Sequence, residues 1–236
     1  MANVKLMENG IQFGDGTSQN TASSSPPTSI TSVIAYTYTS PATWTKPSSI
    51  RGIRVTIFGA GGNGGSTSGG IGGANAGGGG SGGTAIGTFS APAIPGPIAI
   101  TVGVAGSASP STFGPLISAT AGGTAANRGH GPTYSGGGAS GGTGTGGQLN
   151  FNGLAGAAGG EVLTQSAGIG GSNGWSTNII GMIGGSPIPH ASPGNAAGAA
   201  QGGINGGGGG GSSTNPAGGV PGGAGGSGYI IVEEFY

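Results

Sequence analysis

Apolar and polar residues alternate in a few short stretches of this chain. Ile53, Val55 and Ile57 alternate with Arg54, Thr56 and Phe58 in IRGIRVTIF (50–58). Ile98, Ile100, Val102 and Val104 share one face of PIAITVGV (97–104). A period of two is that of a half-buried strand. VIAYTYT (33–39), TAIGTFS (84–90) and the closing YIIVEEF (229–235) are also rich in β-branched and aromatic residues. Trp44-Thr45-Lys46-Pro47 marks a turn. No stretch sustains the 3.6-residue helical period. The pattern predicts a mainly β/irregular chain with no significant α-helix. Its small β-sheet unit is drawn from 30–58, 84–104 and 229–235, and the last strand pairs back onto the early ones.

Glycine fills most of the space between these strands, with 64 glycines in 236 residues. Such a composition suggests either low complexity or an unusual ordered scaffold. Disorder usually goes with high net charge and few apolar residues, whereas here 33% of residues are apolar and the net charge is zero. An ordered glycine-rich chain must offset a large entropy cost, through contacts that only a residue without Cβ can make. No strict Gly-X-Y period is present, which excludes a collagen helix. Doublets and longer runs fit a left-handed helix of three residues per turn, with backbones close enough to hydrogen-bond to one another. The runs at 59–83, 136–147, 153–174 and 198–228 therefore predict rods of a packed polyglycine II array stacked on the β unit; the alternative for them is flexible linker. Residues 1–27 form a separate N-terminal segment and linker, and 28–236 the glycine-rich domain.

Charge and chemistry narrow the function. Five basic and five acidic residues leave no surface to neutralise phosphates, so nucleic acid is not an expected partner. The absence of cysteine removes disulfides and thiolate metal sites. No apolar run reaches the length of a membrane span, so membrane insertion is not expected. MANVKLMENG lacks the apolar core of a secretory signal, which suggests synthesis in a cytoplasm. Gly59, Gly61 and Gly64 satisfy G-x-G-x-x-G after a strand, but STSGGIGGANAGGGG cannot supply the helix that a dinucleotide site requires. His130 and His190 are far apart, so no metal site is expected. Arg128 and Glu161 are the only charged residues between Val55 and Val232. That leaves no carboxylate pair for acid–base catalysis, and serine has no G-x-S-x-G context. No enzyme activity and no cofactor are expected.

Recognition is expected in the segments between rods, because loops held by a scaffold commonly carry binding. NRGHGPTY (127–134) contributes Asn127, Arg128, His130 and Tyr134, and QLNFN (148–152) contributes Asn150, Phe151 and Asn152. SNGWSTNIIGMI (172–183) contributes Asn173, Trp175 and Asn178, and SPIPHASP (186–193) contributes His190. Aromatic, amide and arginine side chains of this kind suit a contact surface. Capping of rod ends is the other role open to Phe151 and Trp175.

Two parts of the chain carry a resemblance. GIQFGDGTSQNTA (10–22) resembles the I-x-F-x-D-G-T-x-Q-x-T-A segment of bacteriophage tail fibre and tail-tip proteins. The Trp44–Pro47 step, GAGGNGG (59–65), ITVG (100–103) and GGSGYIIV (225–232) resemble the glycine-rich terminal domain of phage fibres, which is similar to the distal adhesins of T-even-like phages. The resemblance implies a polyglycine II sandwich whose intervening segments bind a bacterial outer-surface receptor, either a glycan or an outer-membrane protein. It further implies a virion location, attachment to other tail or baseplate proteins through residues 1–25, and a homotrimer, with the monomer of some adhesin tips as the alternative. A structural glycine-rich virion component and an ice-binding polyglycine protein are the alternatives. The separate adhesins mount a dedicated attachment domain, whereas this chain carries a fibre-like motif of its own.

Overall fold

The computed structural model describes residues 5–7, 10–12, 18–19, 30–68, 74–128, 136–159, 170–171, 206–214 and 219–236. Near the N-terminus β1 (Lys5–Met7), β2 (Gly10–Gln12) and β3 (Ser18–Gln19) form an antiparallel sheet in that order. The next strands build two larger sheets and one small two-stranded pair. They are β4 (Val33–Tyr38), β5 (Ala42–Trp44), β6 (Gly52–Phe58), the short β7 (Ala74–Asn75), β8 (Thr84–Ser90) and β9 (Ile98–Thr101). Then come β10 (Ser111–Phe113), β11 (Ile117–Ala119), β12 (Gly144–Thr145), β13 (Leu149–Phe151), β14 (Ser213–Thr214) and β15 (Tyr229–Phe235). One five-stranded sheet has the order β13-β8-β6-β15-β4 and the other β12-β11-β10-β9-β5, while β14 pairs with β7. One turn of 3-10 helix (Ala91–Ala93) is the only helix among the described residues.

The alternation read from the sequence sets the inner faces. Ile53, Val55 and Ile57 of β6 pair in register with Glu234, Val232 and Ile230 of β15. They meet Ile98, Ile100, Phe113, Ile117 and Ala119 of the opposite sheet in one buried cluster. Each buried Ile contributes about 2 kcal/mol. The last strand pairs with both β6 and β4, so it lies inside the sheet rather than at its edge. The edge strand β4 leaves Val33, Ile34 and Tyr36 exposed.

Beyond the sandwich the backbone forms seven extended rods, 59–68, 76–83, 120–128, 136–143, 153–159, 206–212 and 220–228. The 76–83 rod is the centre. Its N–H groups at Ala76, Gly79 and Gly82 donate to Ser212, Gly209 and Gly206; those at Gly78 and Ser81 donate to Ala157 and Leu154; those at Gly80 and Gly83 donate to Gly123 and Thr120. Carbonyls at Gly77, Gly80 and Gly83 accept from Gly65, Gly62 and Gly59, and those at Asn75, Gly78 and Ser81 accept from Gly136, Ala139 and Gly142. The carbonyl of Gly79 accepts from Gly171. Each partner rod recurs every third residue, the repeat of polyglycine II. Six neighbours surround the centre, and those that donate to it alternate with those that accept from it. Neighbouring members of the ring bond to each other as well, for example Gly122 N to Ala60 O, Gly123 N to Ser140 O, Gly156 N to Ala139 O, Gly208 N to Gly171 O and Gly209 N to Gly62 O. The 220–228 rod lies outside the ring, on 59–68 and 206–212.

This spacing leaves no room for side chains between backbones. A Cβ on Gly80 would meet the carbonyl of Ser140, and one on Gly79 that of Gly62, inside the 3.0 Å that real Cβ atoms respect. Ser81 is buried in the centre and is accommodated by a hydrogen bond from Leu154 N to its Oγ (2.9 Å).

Three features were not read from the sequence. The 120–128 rod has only two glycines, at 122 and 123, and its neighbours contact it elsewhere through alanine and threonine backbone. The β10–β11 hairpin turns at Gly114, whose positive φ of 52° suits glycine. QLNFN, expected between rods, forms the edge strand β13. In addition, the expected 136–147 rod stops at 143 and becomes β12.

Two alanine substitutions separate these effects. Gly80→Ala should lower stability by about 3 kcal/mol or more, since its only relief is backbone displacement. Gly137→Ala, where nothing lies within 4 Å of the added atom, should change stability by less than about 1 kcal/mol. Chemical denaturation midpoints measure both, and equal effects would refute the packing account.

Candidate functional site

The direction of the rods defines two ends. The 59–68, 120–128, 153–159 and 206–212 rods run away from the sandwich, and 76–83, 136–143 and 220–228 run back. At the far end the described chain stops at Ser68, Arg128, Gly159 and Thr214. Eight residue steps separate Thr120 from Arg128, about 25 Å at the rise of this helix.

The far end is closed by side chains. Thr67 bridges Arg128 on one side and Val220 on the other. Arg128 N donates to Ser66 O (2.8 Å), and Ser68 N donates to Arg128 O (3.0 Å). Asn127 Oδ1 accepts from Ser66 N (3.0 Å). Ser212 Oγ donates to Val220 O (2.8 Å) and lies 3.2 Å from Thr67 Oγ1. The backbone around Arg128 is therefore held firmly. Its side chain is half-buried, and its Nε is buried without a hydrogen-bond partner among the described residues.

The predicted recognition residues separate into groups. Asn127 and Arg128 sit together at the far end. Asn150, Phe151 and Asn152 sit on or just after β13, at the sandwich end. Asn150 closes its own turn, accepting from Gly147 N (3.1 Å) and donating to Gly147 O (2.8 Å). Phe151 is half-buried and Asn152 exposed. His130, Tyr134, Asn173, Trp175, Asn178 and His190 lie outside the described residues. Segment 172–205 leaves at Gly171, bonded to Gly79 midway along the central rod, and returns at Gly206, bonded to Gly82 near the sandwich.

The G-x-G-x-x-G glycines are rod residues. The N–H groups of Gly59, Gly61 and Gly64 donate to Gly83, Gly226 and Gly223, so none is free to cradle a phosphate.

A second polar centre was not singled out from the sequence. Glu234 points into the sandwich and is only 3% exposed. Trp44 Nε1 donates to its Oε1 (2.6 Å), and the Tyr236 hydroxyl donates to its Oε2 (2.6 Å). The signal available was Trp44 itself, since a buried indole N–H needs an acceptor. The hydrogen bond to Glu234, with burial second, pushes the Tyr236 phenol up to about 12. Burial, with the Glu234 charge second, also raises Tyr38.

No protein-family model matches the chain, and no curated protein matches it.

The phenol shifts fix a pH dependence. A phenol held above its unfolded value near 10 keeps its proton longer in the folded state. The stabilisation is full below about pH 10 and disappears as pH rises through the folded value. Stability should therefore fall between about pH 10 and 12, with late-ionising tyrosines visible as delayed tyrosinate absorbance. Glu234→Gln should return the Tyr236 ionisation toward 10, and an unchanged titration curve would refute the assignment.

Proposed function

We propose that this protein is a bacteriophage tail-fibre or adhesin tip that recognises a host surface receptor through segments at the ends of its polyglycine rods. The observation that carries the reading is the hexagonal rod array itself. It is a rigid scaffold fixed by backbone bonds and rooted in a β-sandwich at one end; the segment 129–134 follows the far end of one rod, and 172–193 belongs to a segment that leaves midway along the central rod and returns near the sandwich. The fibre-like motif at 10–22 supports attachment to tail or baseplate proteins through residues 1–25, with a virion location. The exposed apolar residues Val33, Ile34 and Tyr36 on the edge strand β4 support self-association, and the fibre resemblance makes the expected assembly a homotrimer.

Recognition in this reading rests mainly on hydrogen bonds and stacking, because the described rod array carries a single charged residue, Arg128. Labelled protein should bind one or a few strains in a bacterial panel. Replacing 129–134 and 172–193 by Gly/Ser, with 127 and 128 kept because they close the rod, should remove binding while leaving the unfolding midpoint in place. Raising salt to about 0.5 M should weaken binding only modestly. Binding that survives the replacement, or vanishes with salt, would overturn the proposed site. Light scattering tests the trimer, which Ile34→Lys should dissociate.

A further inference from the structure

We infer that the far end holds an anion subsite, centred on Arg128, for a carboxylate or phosphate carried by a surface glycan. The inference rests on the receptor-binding reading and assigns a ligand chemistry to that site.

Arg128 is the only charged residue among the described residues of the rod array. The other described cations behave differently. Arg54 forks onto Glu233, with Nη2 to Oε1 at 2.6 Å, and Lys46 Nζ donates to Ala91 O (2.6 Å). Arg51 is exposed to water. Arg128 has a half-buried side chain, a buried Nε without a partner, and no acidic side chain bonded to it among the described residues. An Nε–H withdrawn from water without a partner is costly, and the part of this half-buried side chain still open to solvent is where an incoming anion would bond.

The surrounding groups are selective in the same direction. Asn127 is exposed, and its Oδ1 accepts from Ser66 N, which fixes the amide so that its two Nδ2 donors point away from that bond. Ser68 Oγ donates to Arg128 O (3.3 Å), and Gly222 N donates to Ser66 Oγ (3.1 Å). The strongest donors left for a ligand are the guanidinium and the Asn127 Nδ2, and only the guanidinium is charged. Their natural counterpart is a group that only accepts, a carboxylate or phosphate gripped bidentately by arginine. The neutral hydroxyl and amide surroundings suit sugar hydroxyls as the remainder of the ligand. An acidic protein loop would bring further charges with nothing to meet them.

Sodium glucuronate and inorganic phosphate serve as probes, with glucose as the neutral control, titrated into the full chain while the Arg128 Nε–H resonance is followed. A saturable shift with glucuronate or phosphate, none with glucose or with chloride at matched ionic strength, and loss of the response in Arg128→Gln are expected. Arg128→Lys should respond more weakly, since it keeps the charge and loses the fork. No shift, or an equal shift with chloride, would overturn the subsite. On a strain that the protein binds, Arg128→Gln should weaken binding by about tenfold or more, and binding should survive protease treatment of the cells. Unchanged binding by Arg128→Gln, or protease-sensitive binding, would overturn the glycan assignment and leave the adhesin reading standing. Failure of the wild-type protein to bind any cell would count against the adhesin reading alone, because the probe titration does not depend on it.

Discussion

Every buried backbone N–H and C=O must find a partner, and in this protein that requirement is met by neither helix nor sheet over much of its length. The 76–83 rod shows how. With three residues per turn, its amides point outward in three directions and its carbonyls in three others. Only a neighbour on each of six sides satisfies them all. The centre therefore needs the whole ring, and the ring needs backbones close enough to bond. Glycine is the condition for that approach, and its large entropy cost is offset collectively. A single added Cβ at Gly80 breaks the spacing locally, whereas one at Gly137 meets nothing. The position in the lattice decides what a glycine does.

The sandwich and the array solve complementary problems. The sandwich supplies an apolar core built from alternating strands, and the array has almost none. Joining them requires each rod to enter or leave a strand without a break in hydrogen bonding. The transitions at Phe58–Gly59, Gly83–Thr84, Ala119–Thr120 and Gly228–Tyr229 do so directly, strand passing into rod within one residue. The hydrophobic anchor thereby sets the register of the rods. The buried Glu234, held by Trp44 and Tyr236, ties β5, β15 and the residue after it together at the sandwich end.

Much of this was legible in the sequence, for reasons that can be named. Ile53-Val55-Ile57 and YIIVEEF carry period two because one face is buried, and so they read as strands. GAGGNGG and AGGGGSGG read as rods because no other packed state uses so much glycine. TAGGTAANR did not, since it holds only two glycines; Thr124 and Asn127 accept with their side chains from the backbone of the neighbouring rod, and Ala125 is small enough to be buried. QLNFN looked like a loop because Asn, Gln and a lone Phe resemble loop composition, yet it pairs with β8 at an edge where all of its residues but Phe151 are exposed. The binding candidates were chosen by residue type alone, and residue type carries no address. Asn127 and Asn150 were therefore grouped, although the rod length lies between them.

The position of β15 bears on how such a chain is made. The strand that fills the gap between β4 and β6 follows both of them, and all the described rods, along the chain. The rods can therefore leave the ribosome while the sheet on which they stand is still open. A product cut short by a nonsense codon before Tyr229 would leave β6 and β4 with bare edges, open to chaperones and proteases. The fold in this way closes its sheet only after its rods have been made.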